Sequence, residues 1–112
     1  MKPEDRVRLR HVVDALSSAI CFTMGRRREE LDSDEMLAFA LVHAPQIVGE
    51  AAGKVSAETR GRRTEVPWTT LIGMRHRLVH AYFDVNLDIL WTTAVEAAPA
   101  LLAQIAPLLE SD

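Results

Sequence analysis

A chain of 112 residues, 48% apolar and 26% charged, suits one domain with one core and excludes a disordered or collagen-like polypeptide. Its formal charge of −3 argues against binding a polyanion through net charge, and its one cysteine, Cys21, excludes an internal disulfide and a four-cysteine zinc site. No apolar run approaches the roughly 20 residues of a bilayer-spanning helix, and the opening MKPEDRVRLRH lacks a signal peptide's apolar core. A cytosolic protein without a membrane partner is expected.

The charge is unevenly placed. All 13 Lys and Arg lie at or before Arg77, and the chain from Leu78 onward carries only acids. The arginines cluster at Arg26–Arg28, at Arg60, Arg62 and Arg63, and at Arg75 and Arg77. An anion site would draw on these clusters; the first two serve equally well as solvated helix ends.

In chain order, Leu9, Val12, Leu16, Ala19 and Met24 recur at helical steps, which predicts an amphipathic helix ending near Gly25. Asp32-x-x-Glu35 has the form of a capping box opening a second helix. Its stripe runs through Leu37, Leu41, Ala44, Val48, Ala51 and Val55, with Pro45 a kink and Gly49 a close helix contact. Ser56–Thr64 reads as a short helix with an arginine-rich turn. Pro67 suits the first position of a third main helix, because its missing N–H has no partner there. That helix carries Trp68, Leu71, Ile72, Leu78 and Val79 on its stripe and is expected to reach about Ala81. Asp84-Val-Asn86 reads as a turn, with Asn86 capping LDILWTTAVEAA, and Pro99 breaks or kinks the last helical segment. Nothing reads as a convincing strand. Residues 1–112 form one all-α domain, an antiparallel up-and-down bundle of four to five helices.

The segment GMRHRLVHAYFD, Gly73 to Asp84, concentrates chemistry in this setting. At about 100° per residue, Arg75 falls on the stripe of Leu71, Ile72, Val79 and Tyr82, so a charge enters an apolar face and needs water, an acid such as Glu50 or Asp84, or a bound anion. His80 lies five residues on, about 140° round an unbroken helix. The two converge only across a helix end or a subunit boundary. His76-x-x-x-His80 has the spacing of paired metal ligands but lacks the glutamate of the zinc-protease motif and an evident third ligand, so no metal is assigned. A satisfied, partly buried histidine is one reading of His80. Acid–base work on a phosphate ester beside a fixed arginine is the other.

Arg75, His80 and Tyr82 together resemble the R-x-x-x-x-H-x-Y signature of HepT-like toxins, small helical nucleases of the HEPN superfamily. QIVGEAAGKVS is similar to that family's E-I-I-G-E-A-A-K-R-L-S stretch. VPWTTLIGMRHRLVHAYFDVNLDILW is similar to its I-P-W-x-x-I-I-G-M-R-N-x-L-V-H-x-Y-F-x-V-D-x-x-I-V-W. The resemblance runs from about Asp32 to Leu109.

It implies a homodimer in which two Arg–His motifs line a shared cleft and act, without metal or cofactor, as an endoribonuclease leaving a cyclic phosphate. Arg75 and His80 would carry the chemistry. Tyr82 matches a tyrosine that a cognate minimal nucleotidyltransferase (MNT) antitoxin modifies with AMP, which implies a type VII HEPN/MNT toxin–antitoxin pair with RNA as substrate. His76 stands where asparagine is common, and His43, Ala44 and Gln46 replace arginine, asparagine and glutamate. His76, Arg77 and His43 are therefore accessory candidates. A non-catalytic nucleotide- or partner-binding module that regulates a nucleotidyltransferase is the alternative.

Overall fold

The computed structural model describes residues 1–81 and 84–110, with 77–81 and 84–85 described through their backbone alone. Helix α1 spans Pro3–Thr23, with its proline where a helix has no internal acceptor for an N–H. Thr23 donates its hydroxyl to the Ala19 carbonyl at 3.0 Å, and Gly25, at φ 71°, turns the chain away. A single turn, α2 (Glu30–Ser33), precedes α3 (Glu35–Gly53). The residue capping α3 is Asp34, not Asp32: Asp34 leaves the helical region at φ −112° and accepts the Leu37 N–H at 3.0 Å, whereas Asp32 lies within α2. Pro45 is buried inside α3, which continues through it to Gly53.

Ser56 caps α4 (Ala57–Arg62), and α5 (Trp68–Leu78) begins directly after Pro67. Trp68 fixes that start by donating its indole N–H to the Arg63 carbonyl at 2.9 Å. Helix α6 (Leu87–Thr92) is capped by Asn86, whose side chain accepts from the Ile89 N–H. A π-turn over Thr93–Ala97 leads into α7 (Ala98–Glu110). Pro99 does not break this arm. It cannot donate to the carbonyl four residues back and would crowd it, and the wider π-turn before it relieves that conflict.

Helices α1, α3, α5, α6 and α7 pack round one core, to which Leu9 and Leu16, Leu41, Leu71, Leu90 and Ile105 each contribute a fully buried side chain. Each such burial is worth roughly 1.5–3 kcal/mol before entropy is counted. The fold is an all-α bundle. Its one departure among the described residues is a two-stranded antiparallel ribbon, β1 (Val79–Ala81) with β2 (Asp84–Val85), where a longer helix and a turn were expected. Contrary to the sequence expectation, α3 and the stretch Leu87–Glu110 have the length and apolarity of a bilayer span. Both supply inward-facing residues to the core.

Polar contacts tie the periphery down. Arg6 donates a guanidinium N–H to the Leu109 carbonyl in the last turn of α7. Asp5, 3% exposed, accepts from the Ser56 N–H at 2.9 Å, the Ser56 hydroxyl at 2.6 Å and the Thr59 hydroxyl at 2.5 Å, joining α1 to the start of α4. Burial opposes its charge, but these donors outweigh burial and hold its carboxyl below the ordinary 3.8. The contribution of Asp5 is therefore complete above the unfolded value and declines as pH falls through the depressed folded one. Asp5→Ala should cost about 2–3 kcal/mol at pH 7 by leaving the three donors of Ser56 and Thr59 without their acceptor. In urea unfolding, the gap from wild type should narrow at about pH 2.5.

Candidate active site

The site is built where α5 crosses α3. Gly49 is buried there, and a Cβ on it would lie 3.0 Å from the Ile72 carbonyl oxygen and 3.4 Å from Arg75 Cγ. Only a residue without a side chain lets α5 approach this closely. The Arg75 stem consequently lies across Gly49, while the residue as a whole is exposed and its charge meets solvent. The buried charge expected from the apolar stripe does not arise. Of the acids considered as partners, Glu50 meets Lys54 at 3.4 Å. Arg75 instead donates Nε–H to Nε2 of exposed His76 at 3.2 Å.

Helix α5 ends at Leu78, and His80 belongs to β1. The change from helix to extended chain falls between Arg75 and His80, so the 140° of a continuous helix does not separate them. This is the helix end that convergence of the motif requires. The side chains of Arg77 and His80 lie outside the described residues, as does the whole of Tyr82.

His43 is exposed on α3 and lines a groove of about 410 Å³ with His11, Asp14, Ser18 and Phe22 of α1. It stands about 120° round α3 from Gly49 and so from the face that carries Arg75. The first arginine cluster is committed to the scaffold. Arg26 bonds Asp34 at 2.7 Å and Glu30 at 3.2 Å, and Arg28 bonds Asp88 at 2.7 Å and Asp32 at 3.2 Å. Hydrogen bonds to Asp34 and to Asp88, respectively, hold the two guanidinium groups above their ordinary value. Asp34 is held below its own, first by the Leu37 N–H and then by Arg26. In the second cluster, Arg62 pairs with Glu58 at 3.2 Å. Among the described residues no three His, Cys, Asp or Glu side chains come together to hold a metal ion.

An exposed arginine anchored by its stem, followed by a helix end and a histidine at the fifth position, fits a phosphate-handling site. The ribonuclease HepT-like family model matches residues 12–108. The chain belongs to the HepT-like ribonuclease family. A protein of Caldanaerobacter subterraneus subsp. tengcongensis named "Putative RNase" is 33% identical over 104 residues, 93% of each chain. A Thermococcus cleftensis protein named "Probable ribonuclease HepT" is 30% identical over 105 residues, 94% of this chain and 90% of its own. No solved structure matches the chain. In this HepT-like chain the family match takes in α3, α5 and the ribbon, all the elements round Arg75.

The sequence singled out Gly49 as a close contact but missed the buried Asp5 and the α1–α3 groove, since neither has a spacing signature. Gly49→Ala should lower stability by about 1–3 kcal/mol, because the clashing Ile72 oxygen is backbone and cannot swing aside. Gly53→Ala, which meets nothing within 4 Å, should be neutral or slightly stabilising, and thermal melts of the two variants check the contrast.

Proposed function

We propose that this HepT-like ribonuclease is a metal-independent endoribonuclease, the toxin of a cytosolic toxin–antitoxin pair, and that it works as a homodimer with Arg75 and His80 at a shared cleft. The observation that carries the reading is the placement of Arg75. Its stem is fixed against Gly49, its guanidinium is open to solvent, and the helix that holds it ends two residues before His80. The family match and the R-x-x-x-x-H-x-Y spacing support it.

In this mechanism His80 takes the proton of a ribose 2′-hydroxyl, and the freed oxygen attacks the adjacent phosphorus. The bond to the 5′-oxygen breaks, a protonated imidazole returns a proton to that oxygen, and a 2′,3′-cyclic phosphate remains. Arg75 donates to the non-bridging oxygens, whose charge grows in the transition state. His76 and Arg77 are accessory cations or proton carriers beside it, and His43, on another face of α3, is a further accessory candidate. A cognate MNT nucleotidyltransferase that adds AMP to the Tyr82 hydroxyl would bring bulk and negative charge to the cleft and repel RNA.

Purified protein should cut RNA, and not DNA of the same sequence, in excess chelator, with a cyclic phosphate end visible by mass spectrometry. Arg75→Ala and His80→Ala should each lower the rate at least a hundredfold while far-UV circular dichroism is unchanged. Full activity in His80→Ala would refute the assignment. Nucleotide binding without cleavage by the wild type would favour the regulatory module.

A further inference from the structure

The end of the molecule at which α1 begins and α4 crosses holds a second concentration of positive charge. A cavity of about 450 Å³ opens there, lined by Lys2 at the N-cap of α1 and by Glu58, Thr59, Arg62 and Arg63 of α4 and its cap, with Met1 beside them. Lys2 and Arg62 share one carboxylate, since Glu58 meets Lys2 at 3.5 Å and Arg62 at 3.2 Å. Arg63 adds a third cation to the wall. This is the reverse of the first cluster, where Arg26 and Arg28 each face two acids. The side chains of Lys2, Arg62 and Glu58 are all more than half exposed, so water screens these pairs and they hold weakly.

The cavity is held open by the fold itself. Asp5 accepts from Ser56 and Thr59 and so fixes α4 against the first turn of α1, which sets the spacing of Lys2 and Arg62 before any ligand arrives. Its position relative to Arg75 follows from α5. Trp68 and Arg75 are two helical turns apart and stand on one side of α5 to within about 20°. The Trp68 indole reaches the Arg63 carbonyl at 2.9 Å. The cavity therefore lies beyond the base of the helix side that carries Arg75, about 15 Å from it by helix rise and the reach of the indole. A stacked strand spaces its phosphates about 3.4 Å apart, so the two places are about four to five nucleotides from each other.

We propose that the α1–α4 cavity is a phosphate subsite for the RNA strand, in which Lys2, Arg62 and Arg63 hold the backbone several nucleotides from the bond cut beside Arg75. The subsite rests on the ribonuclease reading and gives a positioning role to residues away from the reacting centre. An incoming phosphate displaces Glu58 from the two cations, and the carboxylate that stays beside it limits the strength of the grip. A chain of net charge −3 thus binds a polyanion through a local excess of cations.

Fluorescence anisotropy of the full chain with a 2′-O-methyl RNA of about 12 nucleotides, which cannot be cut because its 2′-hydroxyls are capped, reads the subsite directly. The double variant Lys2→Gln/Arg62→Gln should bind at least fivefold more weakly, with the slope of log Kd against log salt lower by about 1–2. Arg62→Lys should bind nearly as wild type. Glu58→Gln should bind more tightly than wild type, which a cluster with a purely structural role would not do. Arg27→Glu, past the other end of α1, should leave binding unchanged. On cleavable RNA of the same sequence the double variant should raise KM and keep kcat. Unchanged affinity in the double variant, weaker binding by Glu58→Gln, or a wild type that does not bind the strand would overturn the inference. A wild type that binds through Lys2 and Arg62 but cleaves no RNA keeps the subsite and rejects the ribonuclease mechanism, whereas cleavage with KM unmoved in the double variant does the reverse.

Discussion

The close approach of α5 to α3 at Gly49 is the contact on which the site depends. A backbone oxygen of α5 lies 3.0 Å from where a side chain of α3 would start, so the close approach of the helices depends on the absence of one carbon atom. Pro45, buried one turn earlier on the same side of α3, and Ala52, buried three residues later, keep that surface low along its length. Close packing here does two things. It buries Leu71 and Met74 of α5 in the core, and it leaves Arg75 with only a narrow shelf on which to lay its methylenes. Among the described residues no carboxylate pairs with the guanidinium, which packing aims outward. An arginine held by its stem keeps its donors free for an anion, which an arginine neutralised by a carboxylate does not.

The other arginines show the contrast. Arg26 and Arg28 are saturated by four carboxylates and serve to pin the turn between α1 and α3, and through Asp88 the start of α6. Asp5 does for α4 what they do for α2: a carboxylate with three donors holds a short helix that has little apolar surface of its own. Short connecting elements in this fold are fixed by polar contacts and long ones by burial. The division follows from size, since a helix of four or six residues cannot present a full apolar stripe.

Helix α3 is the common wall of core and site. One side closes the core, a second receives α5 and orients Arg75, and the third carries Met36 and Phe39 into solvent. This threefold use explains why its apolar content reaches the level of a membrane span in a helix that packs in a bundle.

The number and order of the main helices, the Asn86 cap, the short helix after Ser56 and the tight contact at Gly49 were all legible in the sequence. Each depends on local spacing or on one residue's backbone preferences. The HepT-like relationship was equally legible, because a motif with its flanks survives as a string. Tertiary structure alone decided the rest. Helix periodicity placed Arg75 on a buried stripe, but the stripe runs past the edge of α3 and the residue emerges into solvent. Periodicity also carried α5 to about Ala81, whereas the chain leaves the helix after Leu78 to pair with Asp84–Val85, a pairing no local pattern encodes. Asp34 displaced Asp32 as cap because a preceding turn absorbed Asp32. The burial of Asp5 and the openness of Phe39 depend on which elements arrive opposite them. Local spacing determines what a helix can offer; only the packed fold decides which of its faces is covered.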